Sequence, residues 1–223
     1  MSVGHLPITY LVLELTVAVF AVLGNLVIMI VFGLDKSIRK LTNFYILSLA
    51  TADFLVGLVG VPSAILTKLG LPEGNFGGCM TMLSLLVVLC TISILNLLAV
   101  SVDRYWAVLH PFSYQKMMTG RAVATIILGC WFLGTTIGFL PLFGWNSGPE
   151  TSGRCFFAQV MNYNFLVFLY FATIIYPTLL MAFCYGKIYR VVLKQASKVS
   201  YQKVYSFIHI NHDQTAKIRI LSH

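Results

Sequence analysis

Five uninterrupted apolar stretches, each long enough to cross a lipid bilayer, constrain this chain more than any other feature of its sequence. They run approximately over residues 8–34, 41–66, 79–108, 122–145 and 163–193. A helix needs about 20 apolar residues to span a hydrocarbon core of about 30 Å. Inside that core every peptide group must be paired within its own segment or within a closed barrel. None of the five stretches shows the short alternating pattern of a barrel strand. The fold expected is therefore all-α, a transmembrane helical bundle. The first stretch exceeds the apolar region of a signal peptide, about 7–15 residues, and has no basic run ahead of it, so it reads as a retained helix.

Composition agrees: 58% of residues are hydrophobic and 10% charged, against about a quarter charged in soluble domains. Cytoplasmic loops of membrane proteins carry the excess of Lys and Arg. Lys36, Arg39, Lys40, Arg104, Lys116, Arg121, Lys187 and Arg190 fall on one side of the expected spans, and Lys68 and Arg154 on the other. The amino terminus is thus expected outside, in a multi-pass protein of the plasma membrane. The net charge of +8 is mostly this inside bias, helped by anionic inner-leaflet lipid, and gives no warrant for nucleic-acid binding. No repeat, phosphate-cradling glycine loop, zinc-ligand spacing, nucleophile elbow or Asn-x-Ser/Thr acceptor occurs, so neither an enzyme nor a cofactor is expected.

Three of the five cysteines, Cys90, Cys130 and Cys184, lie in apolar runs and read as small buried hydrophobes. Cys79 and Cys155 sit at the expected outer edge of the membrane, where a disulfide forms and persists. A bridge between them is predicted.

An ionisable side chain at a helix centre in lipid costs about 2.5–3.5 kcal/mol on insertion scales. Glu14 in the first stretch, Asp53 in the second, and Asp103 with Arg104 near the inner end of the third therefore need an account. The last two can snorkel to water. Asp53 has apolar helix on both sides and should face the bundle interior, where a carboxylate needs a counter-ion, a hydrogen-bond set or a proton. Asn25 and Ser93 are the expected neighbours. Two readings stay open: a sodium ion held by Asp53 and Ser93, or a structural polar knot. Small residues, Gly24, Ala50 and Ala52, favour close packing of the first two helices. Pro177 removes a backbone donor from the fifth and predicts a kink or bulge.

Gly24-Asn25, Leu49-Ala50-Thr51-Ala52-Asp53, Cys79, Asp103-Arg104-Tyr105, Trp131, and Pro177 with Tyr185 resemble, in order and spacing, the pattern of rhodopsin-like G-protein-coupled receptors. Phe143-Gly144-Trp145-Asn146, Glu14, Pro62 and Cys155-Phe156-Phe157 resemble adenosine receptors more narrowly. That resemblance implies a receptor for an extracellular adenosine-like small molecule, with Phe157 stacking on the purine and Leu86, Val87, Cys90 and Glu14 around it. Leu86 stands where aminergic receptors carry an aspartate. Two positions depart from the adenosine-receptor pattern: Ala158 replaces an acidic residue and Cys90 a threonine, and each loses a polar partner for a buried ligand group.

The resemblance further implies that Asp103, Arg104, Tyr105 and Tyr185 act at the G-protein face. There Arg104 pairs with Asp103 when the receptor is inactive and swings toward Tyr185 when it is active. Pro111 and Phe112 belong to the second inner loop, which meets a heterotrimeric G protein. Ile94, Pro177 and Trp131 belong to the packing that joins the pocket to that face. Residues 1–193 are read as part of a seven-span receptor domain, and 194–223 as a third intracellular loop or tail. The tail is weakly amphipathic through Val204, Phe207, Ile208, Ile218 and Leu221, and Gln214–Lys217 resembles the start of a sixth helix. The sequence thus reads as ending after the fifth helix. Other readings are a melatonin-like, peptide or orphan receptor, or a short non-signalling product that associates with full-length receptors in an oligomer.

Overall fold

The computed structural model describes residues 8–148 and 153–221, and side chains up to Lys198. It contains five helices long and apolar enough to cross a membrane: Ile8–Leu34, Leu41–Lys68, Phe76–Leu109, Gly120–Phe143 and Tyr163–Lys198, here the first to fifth spans. Among the described residues there are no strands, only isolated bridges that pair Gly70 with Cys155 and Asn146 with Met161.

The third span is the axis. At 34 residues it is about 50 Å long at 1.5 Å per residue, enough to cross the bilayer at a slant. It packs against the second, fourth and fifth spans, while the first packs chiefly on the second. Polarity runs the opposite way to that of a water-soluble bundle. Ser48, Ser84, Thr91, Asn96, Ser101 and Asp103 are buried, whereas Ile8, Leu13, Phe20, Leu128 and Phe132 stand exposed. Lipid tails as the surrounding solvent explain both halves of that pattern.

Two spans are locally unwound. A π turn at Val56–Gly60 precedes Pro62 in the second, and another at Phe171–Ile175 precedes Pro177 in the fifth. A proline cannot donate to the carbonyl one turn back, and a π turn is one way a helix absorbs that loss. The expected irregularity at Pro177 is this bulge.

Close helix approach is built on glycine, though not where the sequence pointed. A Cβ at Gly24 would meet nothing within 4 Å. The first two spans instead meet at Gly57, where a Cβ would lie 2.9 Å from Ala21 Cβ. The third and fourth spans touch backbone to backbone at Gly134 and Gly138, a small-residue pair one turn apart. A Cβ on Gly138 would fall 2.5 Å from Val88 N, and one on Gly134 2.5 Å from Ile92 Cγ1.

Several boundaries differ from the sequence reading. The third span begins at Phe76, with Asn75 capping it through a 2.9 Å bond from Gly78 N. The expected loop over 110–121 contains a helix, Pro111–Met117, which starts on a proline whose missing N–H costs nothing at a first turn. The outer loop holds one helical turn, Phe157–Val160. Beyond 193 the backbone continues as one helix to Leu221. The side chains of Val204, Phe207, Ile208, Ile218, Leu221 and Gln214–Lys217 lie outside the described ones.

Candidate functional site

The outer end of the bundle is fastened by Cys79–Cys155, with Cα atoms 5.6 Å apart and a sequence separation of 76. The predicted disulfide is therefore present. It ties the outer loop over the third span, and Cys155 N donates to Gly70 O at 3.1 Å to hold the same loop against the end of the second. Cys79, Met80, Leu83, Val87, Val160, Met161 and Phe165 pack around the bridge as one buried cluster.

This anchoring sets Phe157 over two adjoining clefts. The outer one, about 390 Å³, is walled by Tyr10, Lys68, Leu86, Phe156, Phe157 and Ala158. The deeper one, about 200 Å³, is walled by Leu86, Val87, Cys90, Ile94, Phe157 and Thr173. Phe157 and Leu86 belong to both. Leu86, Val87, Cys90 and Phe157, expected to surround a ligand, are thus brought together, and Ile94 joins them. Glu14 lines neither cleft: it sits beside the Tyr10 hydroxyl one turn along the first span, and Tyr10 takes the wall position. Tyr10 and Lys68 were missed in the sequence, and the Lys68 ammonium lies 4.1 Å from the centre of the Tyr10 ring. A concave wall of aliphatic and aromatic side chains with few polar groups suits a small, largely apolar molecule.

Midway through the bundle the Ser93 hydroxyl donates to Asp53 Oδ1. Asn25 does not join them: its amide donates to Ala21 O at 2.8 Å, on its own helix. Asp53 and Ser93 supply two oxygen-bearing side chains of the hard type sodium prefers. Among the described residues no cluster of three or more His, Cys, Asp or Glu side chains could hold a metal ion, so a cation here would take its other oxygens from backbone, from hydroxyl or amide side chains, or from water. Beneath this pair a second polar junction ties three spans. The Trp131 indole donates to Ser48 Oγ at 3.0 Å, Ser48 donates to Asn96 Oδ1 at 2.7 Å, and Asn96 Nδ2 closes on Ile92 O at 2.8 Å. Trp131 thus acts as a strut between helices, with Ser48 and Asn96 as partners the sequence did not reveal.

At the inner end Asp103 is 2% exposed, and Arg104 is exposed. The carboxylate is held by Tyr114, whose hydroxyl donates to Asp103 Oδ1 at 2.8 Å, while Asp103 Oδ2 has no partner. Tyr114 also meets Thr42 Oγ1 at 2.9 Å. The Asp103–Arg104 pair expected of a resting receptor is replaced here by this Tyr114 bond, supplied by the helix Pro111–Met117. Burial pushes the Tyr114 phenol above its ordinary 10.0, against the Thr42 bond, which lowers it, and together with Asp103, which raises it. Tyr185 reaches Ser101 Oγ at 3.5 Å, and Tyr105 packs on Phe183 with ring centres 6.0 Å apart. Phe112 is 85% exposed, an apolar side chain presented at the inner surface beside Pro111.

A carboxylate and an arginine at the inner end of a central helix, an intramembrane aspartate, and a disulfide roofing an aromatic cleft recur together in one large class of proteins. The model of that class, 7 transmembrane receptor (rhodopsin family), matches residues 24–220. The chain belongs to the rhodopsin family of seven-transmembrane receptors. The matched region takes in every site residue named above except Glu14 and Tyr10. Among curated relatives, adenosine receptor A2b of Gallus gallus is 31% identical over 86% of this chain and 62% of its own length. Adenosine receptor A2b of Mus musculus is 34% identical, over 85% and 62%. Adenosine receptor A2a of Homo sapiens is 33% identical, over 86% and 50%. The chain thus spans half to about three-fifths of the length of these relatives. The family is one of multi-pass membrane receptors, and this member is adenosine-receptor-like.

Proposed function

We propose that this chain forms part of a receptor for an extracellular purine nucleoside, adenosine or a close relative, which signals to a heterotrimeric G protein from the plasma membrane. The observation that carries this reading is the shared wall of the two clefts: Phe157, on the disulfide-anchored loop, lines the deeper cleft together with Leu86, Val87 and Cys90, an aromatic and aliphatic lining on which a planar ring can stack. The similarity to adenosine receptors A2a and A2b supports the purine. Binding acts by differential affinity for two arrangements of the bundle. In one, Asp103 is held by Tyr114 and Arg104 is free. In the other, Arg104 and Tyr185 engage the G protein, with Phe112 and Pro111 forming the contact from the inner loop. Ile94 and Pro177 lie between cleft and inner face, where a change in packing passes from one to the other. Asp53 and Ser93, joined by a hydrogen bond, are read as the site of a sodium ion or as a structural polar knot between the second and third spans. With the amino terminus outside, as the Lys and Arg bias supports, the clefts open on the side from which such a ligand arrives.

The test expresses the gene's complete product in cells and measures cyclic AMP on addition of adenosine. A saturable change supports the reading, and no change in either direction contradicts it. Ala158 and Cys90, which leave the clefts short of polar partners, favour a second reading in which another rhodopsin-like ligand occupies the same slot. A ligand panel on the same cells separates the two.

A further inference from the structure

Two threonines line the deeper cleft, Thr91 from the third span and Thr173 from the fifth. Each hydroxyl donates at 2.7 Å to the carbonyl one turn back on its own helix, Thr91 to Val87 O and Thr173 to Leu169 O. They differ in reach. Thr91 is 2% exposed, whereas Thr173 is half-buried and opens on the cleft. Thr173 also sits in the π turn Phe171–Ile175, where the Tyr176 N–H reaches back five residues to Phe171 O. A turn of this kind holds one residue more than an α turn and is frequent at functional sites. Cys90, on the same cleft, stands where the adenosine-receptor pattern has a threonine. The hydroxyl absent from that position of the third span is present on the fifth.

A threonine oxygen carries one O–H and two lone pairs. The O–H of Thr173 is engaged by Leu169 O, so what it offers the cleft is an acceptor. Of the parts of a nucleoside the sugar is rich in O–H donors, while adenine has its donors on the exocyclic nitrogen alone. We propose that Thr173 sets the specificity of this site, its oxygen accepting a hydrogen bond from a sugar hydroxyl of the nucleoside whose purine stacks on Phe157. This rests on the purine-receptor reading above and adds an orientation, with the sugar in the deeper cleft against the bulge of the fifth span. A ligand without a donor at that end leaves the acceptor unmatched. One neutral hydrogen bond of this kind is worth about threefold to tenfold in affinity.

The experiment measures binding of adenosine and of its 2′-, 3′- and 5′-deoxy forms to membranes containing the gene's complete product. Thr173→Val, which keeps the shape and removes the oxygen, is expected to weaken adenosine about threefold to tenfold. At least one deoxy form should bind the unaltered receptor more weakly by a similar factor and lose nothing further in Thr173→Val, because the two changes delete the same bond. Thr173→Ser, which keeps the acceptor, should stay within about twofold of the unaltered receptor. Thr91→Val removes the same kind of bond to its own helix and should leave the ratios among the four nucleosides unchanged. Where the valine variant does not fold, Thr173→Cys, whose sulfur accepts weakly, is read in its place with the same expectation. If the substitution weakens all four nucleosides by one factor, or none of them, the inference is overturned and the purine reading stands. If the unaltered receptor binds none of the four, the purine reading fails and the inference with it.

Discussion

Replacing Gly138 by alanine tests the packing that carries the bundle. A Cβ there would lie 2.5 Å from Val88 N and 2.6 Å from Val88 Cα, whereas carbon contacts settle at about 3.5–4.0 Å. The obstructing atoms are main chain and cannot rotate away, so the third and fourth spans must part by roughly 1 Å along their seam. Overpacking of this kind costs about 1–3 kcal/mol, and the upper end applies where backbone meets backbone. Against it stands a gain of about 1 kcal/mol from the better helix propensity of alanine. The net expectation is a loss of about 2 kcal/mol. Gly129 on the same helix is the control: a Cβ there meets nothing within 4 Å, so Gly129→Ala should be neutral or gain up to about 1 kcal/mol. Both variants carry Cys90→Ala, since that thiol lines an open cleft, and are heated in lipid discs with a thiol-reactive fluorophore, which reports unfolding as Cys130 and the buried Cys184 become reachable. Gly138→Ala should unfold at a clearly lower temperature than Gly129→Ala. Coincident transitions would refute the close approach of the two helices.

Three further outcomes follow from the polar contacts. Ser48→Ala strands the Trp131 indole N–H and Asn96 Oδ1, and should lower stability by about 1–2 kcal/mol in the same assay, with Thr136→Ala, which removes only a bond to its own helix, as the silent comparison. Replacing both Cys79 and Cys155 by serine releases a constraint spanning 76 residues, worth about 4–5 kcal/mol in the chain-entropy account, and should also erase any nucleoside binding by freeing Phe157. In Tyr114 the folded phenol titrates above 10.0, so the unfolded phenol ionises first and stability is lost as pH rises past 10.0. Tyr114→Phe should remove that part of the alkaline loss and, at neutral pH, leave Asp103 without its partner, read as faster amide exchange over Pro111–Met117.

The spans were legible because hydropathy over about 20 residues is a property of the segment itself. The Cys79–Cys155 bridge was legible because two cysteines fell at one membrane face. What stayed hidden depends on which neighbour a side chain meets. Ser48 and Asn96 look in sequence like Thr16 and Thr136, whose hydroxyls bond only to Val12 O and Phe132 O of their own helices. Only the fold tells an interhelical strut from a self-satisfied hydroxyl. Gly24 and Gly138 pose the same difficulty, since one faces open space and the other Val88. The inner-loop helix carries no long apolar run and is anchored through Tyr114, which bonds Asp103, 11 positions earlier, and Thr42, so nothing periodic announced it. Tyr114 holds Asp103 through Oδ1 while Arg104 stands exposed, an arrangement that adjacent positions in the sequence do not reveal. In the clefts, Leu86, Val87, Cys90 and Phe157 were foreseen through family resemblance. Tyr10 and Lys68 were not, because they enter only where the ends of the first two spans converge.

The account depends on the side of the membrane to which each end of the bundle is turned. Lysine labelling with a membrane-impermeant amine reagent on intact cells, followed by peptide mapping, measures that directly. Lys68 should react from outside, and Lys36, Lys40 and Lys116 only after the membrane is permeabilised. Labelling of Lys36 and Lys116 on sealed cells, with Lys68 protected, would place the clefts on the cytoplasmic side and contradict a receptor for an extracellular ligand.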